Sequence, residues 1–334
     1  EHNFEQLAQA ELYKVSLNGS ASLWKSAEMY GDISFSPDGN YVMITTINKP
    51  FSYLVPYYRF PSETTIYKAN GDLVKTMLQV PLIEDLPQGF MAERTGMRDL
   101  NWRNDKPATL YWAEVLDGGD PENKVPFRDE VFQQEAPFNG TVTSLLKTKD
   151  RFSGITWGTD NLAIANDYWW NTRNTRTYVF NPSNTNEAPT VLFDRNYQDV
   201  YSNPGSFVYT KNDFNEYVLD VNSNKAYLIG DGYSDAKDGT FLVRLESKNE
   251  FPNYYIRNIK KRNSLTPLTT FENPFKSIQN VKKEVITYKR DDGLDLSGTL
   301  YLPTNYEKGK KYPMILWAYP REFKDKSSAG QNTS

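Results

Sequence analysis

Short runs of alternating apolar and polar residues, broken by turn chemistry, occupy most of this 334-residue chain. Ile33-Ser34-Phe35-Ser36 leads through Pro37-Asp38-Gly39-Asn40 into Tyr41-Val42-Met43-Ile44-Thr45-Thr46. That pattern predicts strand, tight turn, strand, with Asp-Gly supplying the positive-φ positions of a hairpin. The unit recurs. Leu100-Asn101-Trp102 precedes Asn104-Asp105 and the run from Thr109 to Glu114, and Ile155-Thr156-Trp157 precedes Thr159-Asp160 and the run from Leu162 to Ala165. Each is an apolar-x-aromatic strand, a polar turn carrying Asp, and a second apolar strand. The aromatic anchors Phe35, Trp102 and Trp157 stand 67 and 55 residues apart. Such spacing fits four-stranded propeller blades of roughly 40–50 residues with long insertions. Further hairpins are predicted from Asn215 to Ile229 and from Tyr254 to Leu268, which makes about five blade-like units. Only Phe4 to Leu12 carries a helical pattern, with room for a helical turn or two at Phe90 to Arg98. A sandwich would give similar short strands, but the repeat favours a mainly β chain built as a propeller. Radial repetition leaves only short, protected sheet edges.

From about Lys283 the pattern changes. Val285 to Arg290 runs into the turn Asp291-Asp292-Gly293, and the next strand alternates, with Leu294, Leu296, Leu300 and Leu302 on one face. After a loop from Pro303 to Lys310, Met314 to Trp317 reads as a strand buried on both faces, which suits the start of an α/β sheet. The predicted boundary therefore falls between 281 and 282, with a β-propeller over residues 1–281 and the first strands of a second, α/β domain over 282–334.

Composition narrows the function classes. A mean hydropathy of -0.68 goes with the absence of any apolar run near the roughly 18 residues of a membrane span. A net charge of -4 gives no basic footprint for nucleic acid, and Lys260-Lys261-Arg262 reads as a solvated hairpin face. With no cysteine, disulfides, thiolate chemistry and zinc–thiolate sites are excluded. Asp117-Gly118-Gly119-Asp120 lacks the further carboxylates of a calcium loop and reads as a turn. Phe51 to Phe60 and Trp169-Trp170 could stack on sugars, though packing within and between blades is the plainer reading. No metal and no cofactor are expected.

Four groups of segments resemble the prolyl oligopeptidase family of serine peptidases, and within it the glutamyl endopeptidase branch. They are Lys49-Pro50-Phe51-Ser52-Tyr53-Leu54-Val55-Pro56-Tyr57-Tyr58-Arg59-Phe60-Pro61; Gly96-Met97-Arg98-Asp99-Leu100-Asn101-Trp102-Arg103 with Lys106 to Trp112; Asp199-Val200-Tyr201-Ser202 with Pro204-Gly205; and Trp317-Ala318-Tyr319-Pro320-Arg321-Glu322-Phe323-Lys324. The resemblance implies a propeller of seven blades when complete, placed before an α/β-hydrolase domain. It also implies acyl transfer from a peptide to serine, with peptides or unfolded proteins as substrates. A periplasmic or secreted bacterial setting is the expected compartment, with which the absence of cysteine is compatible. Two departures stand out. No G-x-S-x-G elbow occurs, and the only histidine is His2, so nucleophile, base and acid cannot be assigned and the chain alone is expected to be inactive. The blade text also jumps, so missing residues at the N-terminus and a closed-up gap near Leu242 are expected.

The resemblance makes Tyr319 an oxyanion-hole donor in the intact enzyme. An enzyme cutting after glutamate must also compensate a substrate carboxylate, a task that suits the planar fork of arginine. The candidates are Arg59, Arg94, Arg98 and Arg103, with Arg173 and Arg176 as a second cluster; Arg98 and Arg103 are taken as the substrate-binding pair. The plainer reading of each arginine is a tie between blades. Two other functions stay open: a non-catalytic periplasmic propeller that binds protein or polysaccharide, and an aminopeptidase or dipeptidyl peptidase of the same family.

Overall fold

The structure, a computed structural model, describes residues 2–223, 225–230, 240–247, 250–258, 260–261, 264–278, 280–293 and 295–317. A short helix, α1 (His2–Ala8), stops four residues before the predicted end at Leu12. From Ala10 the chain runs instead as β1 (Ala10–Val15), paired antiparallel with β2 (Ala21–Glu28). An isolated helix of two turns is marginal in water, whereas the strand gains a partner for its backbone groups.

Three successive four-stranded antiparallel sheets follow, each a meander in chain order. The first holds β3 (Tyr30–Phe35), β4 (Tyr41–Ile47), β5 (Ser62–Lys68) and β6 (Leu73–Val80). The second holds β7 (Arg98–Trp102), β8 (Thr109–Val115), β9 (Asp129–Glu135) and β10 (Thr143–Thr148). The third holds β11 (Arg151–Thr159), β12 (Leu162–Trp169), β13 (Asn174–Phe180) and β14 (Thr190–Asn196). The three repeat units of the sequence are the first two strands of these three sheets. In the first, Asp38 holds the turn by accepting hydrogen bonds from Ser36 Oγ at 2.6 Å and the Asn40 amide at 3.0 Å.

Consecutive sheets pack face to face. Met43 and Ile66 of the first sheet bury against Trp102 and Leu110 of the second and against Phe138, in the connection between β9 and β10. Ala113, Val131 and Leu146 of the second bury against Phe152, Trp157 and Phe180 of the third. The chain is thus mainly β and built from the blade units of a propeller. Phe35 does not act as an anchor, because it is 63% exposed while Trp157 is 2% exposed. Trp102 and Trp157 each fill the space between their own sheet and the preceding one; among the described residues the segment directly before the first four-stranded sheet is the β1–β2 hairpin. At Phe90 to Arg98 there is no helix: the chain turns near Gly89, and Arg98 already begins β7.

Shorter pairs follow: β15 (Ser206–Phe207), β16 (Tyr209–Lys211), β17 (Tyr217–Leu219), β18 (Val221–Asn222), β19 (Lys225–Ala226) and β20 (Leu228–Ile229). β16 pairs with β17, β18 with β19, and β15 with β20. The predicted hairpin from Asn215 to Ile229 corresponds to part of this nested set. All of these residues belong to one compact unit; the described residues from 240 on belong to a second.

In the second unit β21 (Thr240–Leu245), β22 (Asn253–Asn258) and β23 (Ser264–Pro267) form a three-stranded sheet that contains the predicted Tyr254 to Leu268 hairpin. The gap expected near Leu242 falls inside β21, where Leu242 pairs with Ile256 and Val243 with Tyr255. β24 (Lys282–Lys289) and β25 (Asp295–Leu302) form the hairpin foreseen around Asp291-Asp292-Gly293. The sequence boundary at 281/282 lies just before it, within this unit. Met314 to Trp317 departs from expectation, because it forms no strand and its side chains are exposed, Ile315 at 94%. A strand buried on both faces needs covering layers, and none of the described residues supplies them. Tyr319 lies outside the described residues.

Candidate substrate-binding site

Arg98 opens β7 at an irregularity in its pairing with β8, where Arg98 lies opposite Ala113 and the next paired residue is Asn101, opposite Tyr111. Across the junction to the third sheet, β11 carries its own register shift between Phe152 and Gly154. Bulges concentrate beside functional sites because they re-aim side chains. Between these two irregularities lies a cavity of about 390 Å³, with Arg98, Asp99, Tyr111, Phe152, Gly154 and Tyr168 in its wall. A methyl placed on Gly154 would meet nothing within 4 Å, so the space before it is open.

Beneath the cavity runs a buried ion network. The Arg98 guanidinium pairs with Asp129, which is fully buried, and with Asp99, whose side chain is 52% exposed. Asp129 also accepts from the Phe152 amide at 2.6 Å and from Arg151 Nη1 at 3.1 Å. Arg151 reaches Asp117 at 2.8 Å and donates its Nε to the Met91 carbonyl at 2.9 Å. Asp117 takes a second guanidinium, Arg128, at 2.8 Å, and Arg128 lies over the Trp169 ring at 3.8 Å. The network ties β9 of the second sheet to β11 of the third. Burial pushes the Asp129 carboxyl up, against the opposing pull of Arg98, the Phe152 amide and Arg151. At the cavity wall burial, and then the Asp99 charge, push Tyr111 up to about 12.

A backbone contact fixes the loop that supplies Met91. Gly119, at φ +79°, brings its backbone against Glu93, and a Cβ there would lie 1.9 Å from the Glu93 carbonyl oxygen. The Glu93 amide donates to the Gly119 carbonyl at 3.0 Å. Asp117-Gly118-Gly119-Asp120 is therefore a turn, as read from sequence, whose first carboxylate faces inward to two arginines.

The structure separates the arginine candidates. Arg98 faces the cavity; Arg103 does not. Arg103 is buried, donates Nε to Asp105 at 3.0 Å, pairs with Gln133, and covers the Trp157 ring at 4.0 Å. That is the geometry of a tie between sheets. Arg59 ends a 3₁₀ turn (Tyr57–Arg59). Arg94 bonds the carbonyls of Thr95 and Met97. Arg173 bonds the Trp170 carbonyl and stacks on its ring at 4.0 Å. Arg176 bridges Asp150 at 2.5 Å and Asp194 at 3.0 Å. Sequence reasoning missed Asp117, Arg128, Asp129 and Arg151 as a unit. Their only local signal was an acidic Gly-Gly turn; the pairing arises from strands of two sheets. Among the described residues no group of acidic or histidine side chains is arranged to hold a metal ion, and no helix is long and apolar enough to cross a membrane.

No protein-family model matches the chain. Its sequence is similar over 98% of its length to a probable chloroplastic glutamyl endopeptidase of Oryza sativa subsp. japonica, at 34% identity over 382 residues. The protein of the same description in Arabidopsis thaliana is 33% identical over 383 residues, again covering 98% of this chain. The chain spans 41% and 40% of the length of these two relatives. Among solved structures, Pyrococcus horikoshii acylaminoacyl peptidase gives a TM-score of 0.41 at 12% identity, over 91% of this chain and 48% of that one. Over nearly its whole length the chain is thus similar in sequence to proteins named probable glutamyl endopeptidase, the branch that the four groups of sequence segments resemble.

Proposed function

We propose that the chain is the propeller and the opening strands of the hydrolase domain of a serine peptidase that cleaves after glutamate. The reading is carried by the sequence match over 98% of the chain to proteins named probable glutamyl endopeptidase. The cavity at Arg98 supports it: a buried guanidinium at a polar wall can compensate a substrate carboxylate with charge-assisted hydrogen bonds. Arg98 rather than Arg103 is the specificity residue in this reading, since Arg103 is committed to Asp105, Gln133 and Trp157. In the intact enzyme an acyl-serine forms and is hydrolysed, and Tyr319 donates its hydroxyl to the tetrahedral oxyanion. The propeller restricts access to peptides and unfolded chains. These 334 residues contain no G-x-S-x-G elbow and one histidine, so they are not expected to cleave peptides by themselves.

The test is a comparison of kcat/KM for the intact enzyme on peptides that differ only at the cleavage position. Glutamate is expected to exceed glutamine and proline by at least about tenfold, the worth of one charge-assisted bond. Equal rates for the three, or cleavage only next to a free N-terminus, would remove the glutamyl reading in favour of another member of the family.

A further inference from the structure

Successive side chains of a regular strand point to opposite faces, yet Arg98 and Asp99 form an ion pair with each other. The irregularity in β7 makes this possible. Asp99 has φ +54°, a left-handed conformation that aspartate adopts more readily than most residues, and it turns the carboxylate back onto the neighbouring guanidinium. Charge accounting shows why a carboxylate is needed there. Three arginines of the network (Arg98, Arg128 and Arg151) face two fully buried carboxylates, Asp117 and Asp129. One positive charge is left over at the cavity wall, and half-exposed Asp99 neutralises it. The other charges nearby cancel: Glu93 lines the same cavity, and Arg94, lowered by burial, feels both Glu93 and Asp99. Arg98 also keeps one buried donor, Nε, without a partner, and buried donors are rarely left so.

We propose that Asp99 is a built-in stand-in for a ligand carboxylate on Arg98, and that the cavity takes the carboxylate side chain of an acidic peptide by displacing it. Asp99 leaves toward solvent, where its charge is rehydrated, and the incoming carboxylate takes its place on the guanidinium. The network stays neutral in both states, so a neutral side chain of the same shape gains nothing from the exchange. Asp99 then acts as a threshold on specificity, since a ligand must outcompete it. The inference rests on the reading of Arg98 as a carboxylate receptor and adds the competitor.

The test is equilibrium binding to the chain of two blocked pentapeptides, one with a central glutamate and one with a central glutamine. Asp99→Asn removes the competing charge and keeps a residue suited to φ > 0; Asp99→Gly removes the side chain and is unstrained there. Both variants are expected to bind the glutamate peptide about two- to fivefold more tightly than the natural chain, the range of a partly exposed ion pair. Binding of the glutamine peptide should not change. Arg98→Lys in the Asp99→Asn background should abolish the gain. Unchanged or weaker glutamate binding in both Asp99 variants, or no detectable binding in any form, would overturn the proposal. A gain of equal size for both peptides would also overturn it, since that would be a steric effect. If the intact enzyme lacks glutamate preference but the Asp99 variants still gain, the functional reading fails and the exchange stands.

Discussion

Tyr111 shows how the cavity acts on a single residue. Its hydroxyl sits in the wall beside Asp99, and burial, reinforced by that charge, holds its pKa at about 12 against an ordinary value of 10.0. The sign of the consequence follows from proton counting. Below pH 10 folded and unfolded chains both keep the proton. Above it the unfolded chain loses the proton while the folded chain retains it until about pH 12. The folded state then binds more protons, so stability must fall as pH rises through this window, by up to about 1.4 kcal/mol per pH unit. Urea unfolding of the natural chain and of Tyr111→Phe between pH 9 and 12 measures it. The variant should lack this part of the decline, and parallel curves would show that Tyr111 is not held neutral by the fold.

At the scale of elements, the anchors of the repeat are not equivalent. Trp157 is sandwiched between the second and third sheets, edge-on to Tyr111 at 5.2 Å and capped by Arg103 at 4.0 Å. Truncating such a side chain costs about 3–5 kcal/mol through lost burial and the cavity it leaves. Phe35 holds the same place in the repeat but is exposed, so Phe35→Ala should stay within about 0.5 kcal/mol of the natural chain. Chemical denaturation of the two variants gives the comparison. The same contrast marks what the sequence could reveal. Alternation along Ile33 to Thr46, Leu100 to Glu114 and Ile155 to Ala165 was legible because a strand repeats every two residues and its turns announce themselves in Asp and Gly. Which anchor is buried depends on the sheet in front of it, and that is not written in the repeat. The arginines of the motif Gly96 to Arg103 were legible as chemistry. Their sorting into a cavity wall, Arg98, and a sheet-to-sheet tie, Arg103, came from Asp129, Arg151 and Trp157, residues 30 to 60 positions away. The helix expected at Phe90 failed for a related reason: the loop is fixed by Glu93 against Gly119, a contact of high sequence separation.

At the scale of the molecule, the two proposed determinants of the reaction sit on different parts of the chain and should leave different kinetic signatures. Arg98 lies in the unit that contains the three four-stranded sheets; Tyr319 follows the apolar run Met314 to Trp317 in the sequence, seventeen residues beyond the end of β25 at Leu302. A carboxylate receptor holds the substrate in the ground state and in the transition state alike, so its loss raises KM with little change in kcat. An oxyanion donor acts only where charge develops, and removing one costs about 10²- to 10³-fold in kcat. In the intact enzyme, Tyr319→Phe is therefore expected to lower kcat by about that factor for every cleavable peptide, with KM preserved. Arg98→Lys should raise KM for glutamate peptides selectively. A Tyr319→Phe enzyme with normal kcat would assign the phenol to packing. A Tyr319→Phe defect confined to glutamate peptides would make it part of the specificity site instead. The two substitutions together separate recognition from chemistry: if they act independently, their losses in kcat/KM multiply, as expected for sites with no shared partner.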